Sequence, residues 1–394
     1  MARGTPPEPG PSNLLPFEAR AYVDEKLVAL SEATVRVDEP DEIPQLLFPK
    51  SDLRVNPDGL AQDVLAPTPA GRAGYVAFDT ERANVRVVVV DRGADDGPFD
   101  HTLKRFPTWG DVSDLIRLLR VRRAGELEYV STPYDSSANR HRGVVEGSQM
   151  LGQAIFVAGQ HAPGRRVTSA TMVFTRVANT TDPLRVMLEE LSSGRTFTSL
   201  AVRVHQEDRL CASGIMLLAA PADDVIRHAA QSPKTAGPER SEPYDMSVTG
   251  RDVRFVDGAY TGDPDAPVGP PTLDAWVRYS NVPEDPSLHA ALLSHFTGHA
   301  SIATALRPHA GIGQAQAHRT LSTGINAINI SFHADVRADR WLRYRHHSTF
   351  AGSGMTHSEC RVHDAEGVLV ASFTVDAMVR RAPAKRTGSE RTAL

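Results

Sequence analysis

The strongest constraint on this chain is a pattern that occurs twice. Beyond Val144, apolar side chains fall at helical spacing, with Leu151, Ile155 and Ala158 on one stripe, until Pro163-Gly164 stops the run. Four segments of strand-like alternation follow: Ser169–Thr175, Leu184–Leu191, Thr196–Gln206 and Leu210–Ala219. The turn pairs Ser193-Gly194 and Glu207-Asp208 separate the later ones. At Pro286-Ser287 the pattern starts again, with Leu288, Leu292 and Phe296 on an i, i+4, i+8 stripe. Strands are then expected near Ala315–Ser322, Ala327–His333, Leu342–Phe350, Thr356–Val362 and Val368–Val379. A long helix followed by antiparallel strands, twice over and with almost no identity between the halves, predicts an α+β chain with two like domains.

The remainder of the chain divides by composition. Residues 1–15 are rich in Pro and Gly and are expected to be a disordered tail, as are residues 383–394. Residues 16–110 read as a small β-rich domain. In it Arg20–Val23 and Lys26–Leu30 flank Asp24-Glu25 as a hairpin, and Asn84–Val90 is a β-branched run. The first repeat occupies residues 111–231. A linker of Pro, Gly and charge spans 232–272, with one strand at Val253–Val256, and the second repeat covers 273–382.

Charge narrows the function classes. A net charge of −5 spread over 394 residues, with both signs mixed, gives no electrostatic case for nucleic acid or an anionic membrane. Cys211 and Cys360 are the only cysteines and lack metal-ligand spacing, so neither a disulfide framework nor a zinc motif is expected. His346, His347 and His357 are not expected to form a metal set, because strand alternation puts His346 and His347 on opposite faces, and they read as surface histidines. No run of 18 apolar residues occurs, and Met1-Ala2-Arg3-Gly4-Thr5-Pro6-Pro7 lacks an apolar signal core. These features predict a soluble, cytoplasmic protein without a cofactor.

Six motifs follow one another in the last third: Trp276-Val277-Arg278, Asp285–His289, Ala305-Leu306-Arg307-Pro308-His309, Ser331-Phe332-His333, Arg337–Leu342 and Leu369-Val370-Ala371-Ser372. Their succession resembles the C-terminal half of the type II acyl-CoA thioesterases, which carry two hot-dog folds in one chain. Val144–Ile155 is similar to that family's Gly-Gly-Gln…Gly-Gln-Ala signature, with Ser148 replacing one Gly. The resemblance covers about residues 112–382 and implies tandem hot dogs, each a helix wrapped by an antiparallel sheet, with the two sheets continuous. Leu47–Arg54 and Gly74–Asp79 resemble a small β-rich family of unknown function, whose Cys-Pro segment is replaced here by Leu65–Pro69.

The resemblance also implies a site. The family's catalytic Asp falls on His299, its Thr on Ile325 and its Gln on Val375, so all three positions depart from the pattern. Thr323 lies two residues before Ile325, on the same face of a regular strand. A one-residue shift or bulge would bring Thr374 or Asp376 to the Gln position. His299 is then the candidate general base, since an ordinary imidazole titrates near neutrality, and Asp376 is its candidate orienting partner. The competing reading makes His295 and His299, four apart on one helix face, polar groups bonded to backbone. Gln149 and Gln153 are either ligand contacts or structural hydrogen-bonders. Two functions are expected: hydrolysis of an acyl thioester, or reuse of the scaffold for ligand binding or dehydration or cyclisation chemistry in biosynthesis. The partners expected are an acyl thioester or other small apolar ligand, and a second copy in a closed homodimer, since outer strands leave edges.

Overall fold

The computed structural model of the chain describes residues 18–37, 45–56, 60, 64–68, 73–79, 82, 84–90, 110–131, 144–180, 182–244, 246, 248–260, 267–310, 312–314 and 321–381. Two compact units emerge: residues 1–112 with 135–141 and 245–251, and the rest of the chain. Both expected tails lie outside the described residues.

The first unit is β-rich. β1 (Glu18–Val23) and β2 (Lys26–Ser31) form the expected hairpin, and β1 also pairs with the later strand Val85–Val90. Asp24 and Glu25 have φ of 48° and 60°, the positive pair that a two-residue turn matching strand twist demands. β3 (Val35–Val37), β4 (Gln45–Pro49), β5 (Leu65–Ala66) and β6 (Tyr75–Phe78) make a four-stranded sheet, and β7 is Val85–Val90. Ala19, Ala21, Val28, Phe48, Val76, Phe78 and Val87 close the core, with Phe48 edge-on to Phe78 at 5.4 Å. β8 (Gly110–Asp111) leads into the helix Val112–Leu119.

The second unit holds one 13-stranded sheet. In its first half β9 (Arg122–Arg123) and β10 (Glu128–Val130) precede the first long helix, Gly147–His161. β11 (Arg166–Phe174), β12 (Arg185–Ser193), β13 (Phe197–Gln206) and β14 (Arg209–Ala219) follow, close to the expected strands. β15 (Glu242–Pro243) and β17 (Arg251–Phe255) lie within the stretch read as linker, as does β16 (Val248–Thr249), which belongs to the first unit and pairs parallel with β8. β18 (Thr272–Tyr279) leads to the second long helix, Pro286–Phe296, and a short helix, Ser301–Leu306, which sequence periodicity does not predict. β19 (Leu321–Phe332), β20 (Leu342–Gly352), β21 (Met355–Asp364) and β22 (Leu369–Arg381) complete the order β15-β17-β18-β20-β21-β22-β19-β11-β14-β13-β12-β10-β9. The two strands expected at Ala315–Ser322 and Ala327–His333 are corrected: from Leu321 a single strand runs through, with an irregularity between Ile325 and Ala327. Residues 315–320 of that expectation lie outside the described residues.

The halves join through β11 and β19, where Ala170 opposes Ile330 and Met172 opposes Ile328. Those four side chains are buried and belong to the face that carries the helices. The two long helices lie antiparallel, and the contact depends on small residues. A side chain at Gly152 would stand 2.9 Å from the Ala291 carbonyl oxygen, and one at Gly159 would overlap the Ser287 hydroxyl. Tyr279 and Tyr344 tie the second helix to the sheet by donating their hydroxyls to the carbonyls of Leu292 and Leu293. On the opposite face, residues 230–236 strap the second half. The Trp276 indole donates to the Ala236 carbonyl at 3.0 Å, and Arg343 donates to Ser232 Oγ and the Pro233 carbonyl. The strap buries the Arg343–Asp274 pair, 3.1 Å apart, whose charges would be costly there without each other. The second unit is a tandem of two hot dogs, and with the β-rich first unit the fold class is α+β.

Candidate active site

The second long helix is fixed at both ends by local bonds. Asp285 caps its start by accepting from the amides of Ser287 and Leu288 at 3.0 and 3.3 Å, with Pro286 in the first turn. At its end Thr297 Oγ1 donates to the Ser294 carbonyl at 2.6 Å. The chain then turns tightly: the His299 amide donates to the Phe296 carbonyl, and the Ser301 amide to the His299 carbonyl. Ala300 takes φ 66°, a left-handed conformation uncommon for a side-chain-bearing residue and of the kind that concentrates at functional turns. This turn holds the half-buried His299 ring flat on Phe296, with centroids 4.7 Å apart and planes within 2°. The His295 ring, 2% exposed, lies 5.7 Å from it.

The start of the first long helix meets this corner. Glu146 is its N-cap residue, yet its carboxylate makes no capping bond; one oxygen lies 4.0 Å from His295 Nε2. A side chain at Gly298 would overlap the Ser148 hydroxyl and stand 3.4 Å from Ile325 Cδ1. Strand register puts Ile325 opposite Ala377 and Thr323 opposite Val379, so both point to the helix side with Val375, and Thr323 is 2% exposed. His295 therefore lies beside Glu146, and Gly298, next to His299, beside Ser148 of the other half, while Thr323 shares the helix-facing side of its strand with Ile325. The sequence marks Ser148 only as a departure from the signature and gives Glu146 no role. The signal available was a carboxylate directly before the Gly-Ser-Gln element that opens a helix.

Asp376 is a correction. It alternates with the buried Val375 and Ala377 and so lies on the opposite face, where its carboxylate bonds His357 Nδ1 at 2.7 Å. It is not placed to orient His299. The extra residue in this register is on β19, at Asn326, so β22 runs regularly from Ser372 to Met378 and no shift carries Asp376 inward. Thr374 shares the outer face and accepts from Asn329 Nδ2. Gln153 is fully buried and donates to the Leu118 carbonyl at 2.8 Å, anchoring the helix Val112–Leu119. Gln149, 5% exposed, sits in the first turn beside Ser148.

Two further histidines are buried in the second half. His346 is fully buried against Phe373, its Nδ1 3.4 Å from Ser301 Oγ, and burial depresses its pKa to about 3, so the ring is neutral. His289 accepts from the Ala338 amide at 3.1 Å, with Asp339 at 3.8 Å. Burial lowers its pKa more than the Asp339 charge raises it. It is a clamp rather than a reactive group. His347 is exposed on the outer face, but His346 is a correction: alternation turns it inward, so it is buried rather than a surface histidine. Chemically, the corner offers imidazoles from one helix end and, from the other half, a carboxylate, a hydroxyl and the positive end of a helix dipole.

Comparisons with known proteins agree with this architecture. Residues 135–219 match the model of the acyl-CoA thioesterase N-terminal domain, and residues 222–379 that of the acyl-CoA thioesterase C-terminal domain. The chain is similar to acyl-coenzyme A thioesterase 8 of Mus musculus, at 24% identity over 309 residues, covering 70% of this chain and 93% of that protein. Among solved structures it is similar to the acyl-CoA thioesterase II TesB2 of Mycobacterium marinum, with TM-score 0.58, 21% identity and coverage of 68% of this chain and 98% of that one. The tesB protein of Mycobacterium avium subspecies paratuberculosis gives TM-score 0.57 at 20% identity, covering 68% of this chain and all of that one. With the paired domains matched in order over more than half its length, the chain belongs to the acyl-CoA thioesterase family of double hot-dog proteins.

Proposed function

We propose that this protein hydrolyses an acyl thioester, most simply an acyl-CoA, with His299 as general base. Water lodged beside the imidazole gives up a proton to it, and the hydroxide attacks the thioester carbonyl carbon. The C–S bond then breaks, and the proton passes to the departing thiolate. A positioned imidazole contributes about 10²–10⁴-fold to such a step. The observation that carries the reading is the placement of His299 and His295 at the helix junction, against Glu146 and Ser148 of the other half. Thr323 Oγ1 and the first helix's N-terminus are the polarising groups, and Gln149 and His295 line the substrate's path. Incubating the purified protein with acyl-CoAs of several chain lengths and following free thiol tests the reading. Thiol release above the uncatalysed rate is expected, and its absence for every chain length would overturn it.

A second reading rests on Ile325 and Val375. Apolar side chains occupy two positions where the resemblance implies a Thr and a Gln, which suits a scaffold reused for ligand binding or for dehydration or cyclisation in biosynthesis. Tight binding of a non-thioester molecule without thiol release would decide for it. Under either reading we place the protein in the cytoplasm as a homodimer of closed twofold symmetry, with residues 16–110, 111–231, 232–272 and 273–382 as its segments. Light scattering that returns the mass of a single chain at micromolar concentration would exclude the dimer.

A further inference from the structure

Glu146 is an N-cap carboxylate that does not cap. A carboxylate at the start of a 15-residue helix is favoured by the helix dipole alone, yet Glu146 makes no side-chain capping bond. Its side chain turns instead toward the second half, bringing Oε2 to 4.0 Å from Nε2 of the buried His295. That separation exceeds a hydrogen bond, and one bridging water or a small side-chain rotation closes it. The His295 ring in turn lies 5.7 Å from that of His299. A carboxylate facing one ring nitrogen of an imidazole selects the tautomer with its proton on that nitrogen and fixes the ring plane.

We infer that Glu146 is a positioning residue for the histidine pair, holding His295 with Nε2–H toward the first helix so that His295 braces the His299 ring. The site would then require both halves of the chain: the base from the second and the group that orients its neighbour from the first. This inference rests on the reading of His299 as the base, and the test separates the two.

The experiment compares wild type with Glu146→Gln, which keeps size and polarity but removes the charge. His295→Asn identifies the His295 signals in ¹⁵N spectra of histidine-labelled protein. Wild type should show His295 protonated on Nε2, and Glu146→Gln should redistribute the tautomers while the melting temperature stays within a few degrees. Partners that orient a metal-bound histidine contribute about 10–100-fold, and on that scale kcat for thiol release should fall by about tenfold or more, with KM unchanged. Unchanged His295 signals in Glu146→Gln overturn the inference whether or not the protein hydrolyses thioesters. A hydrolytic wild type whose kcat survives Glu146→Gln also overturns it and leaves the hydrolytic reading standing. Should wild type release no thiol, the reading of His299 fails on its own and the spectra still decide the Glu146–His295 pair.

Discussion

The antiparallel helices create two junctions, one where the first helix begins and the second ends, the other where the first ends and the second begins. At the former, Glu146 and Ser148 face His295, Gly298 and His299. At the latter, Gly159 packs on Ser287, Asp285 is bonded to the amides it caps, and His161 lies 3.5 Å from Glu190 on β12. The backbone repeats, yet the ionisable groups of the second junction are tied to local structure, while those of the first reach across the two halves. A duplicated fold has kept its symmetry where packing demands it and lost it where chemistry is expected.

The largest effect that would break this comparison is on turnover. His299→Ala should lower kcat/KM for thiol release by about 10²–10⁴-fold without loss of cooperative unfolding, whereas His161→Ala at the other junction should leave it within about twofold. Initial rates over a range of acyl-CoA concentrations measure both. Next comes the seam between the helices. Gly152→Val pushes a branched side chain against the Ala291 backbone carbonyl and the Leu119 side chain, each with an atom 2.9 Å from where its Cβ would stand. Overpacking of this kind costs about 1–3 kcal/mol, read as a lower urea midpoint with an unchanged slope.

Acid stability sharpens the contrast between buried and exposed histidines. The His346 pKa is about 3 in the folded protein and near 6.5 in an unfolded chain. As pH falls through that window the unfolded state takes up the proton first, so folded stability is lost by up to about 1.4 kcal/mol per pH unit. His346→Gln should flatten the fall of unfolding free energy between those limits by one proton's worth. The smallest effect belongs to the outer face. Asp376→Asn removes an ion pair whose partners are 35% and 42% exposed, so it should cost under about 1 kcal/mol and leave kcat unchanged.

Much of the scaffold was legible in the sequence because periodicity reports burial. The Asp24-Glu25 hairpin, the four strands after the first helix and the Pro286 helix start all follow from local spacing and turn chemistry. The extent of β19 was not legible, since Gly324, Ile325 and Asn326 interrupt its alternation and the bulge that reconciles them is a property of pairing with β22. The six-residue helix Ser301–Leu306 is too short to show a period. Asp376 was misplaced although its parity was visible: Val375 and Ala377 are apolar, so the residue between them faces away. The Glu146–His295 approach was out of reach, because it depends on how two helices from different halves dock through Gly152 and Gly159.

Ligand chemistry is expected at the junction of Glu146, His295 and His299. Its most direct test is histidine NMR during titration with a non-hydrolysable thioether analogue of an acyl-CoA, with resonances identified by His299→Ala, His161→Ala and His357→Ala. Saturable shifts of the His299 and His295 signals, with His161 and His357 unmoved, are the predicted result. Saturable shifts at His161 or His357 with His299 unmoved would contradict it.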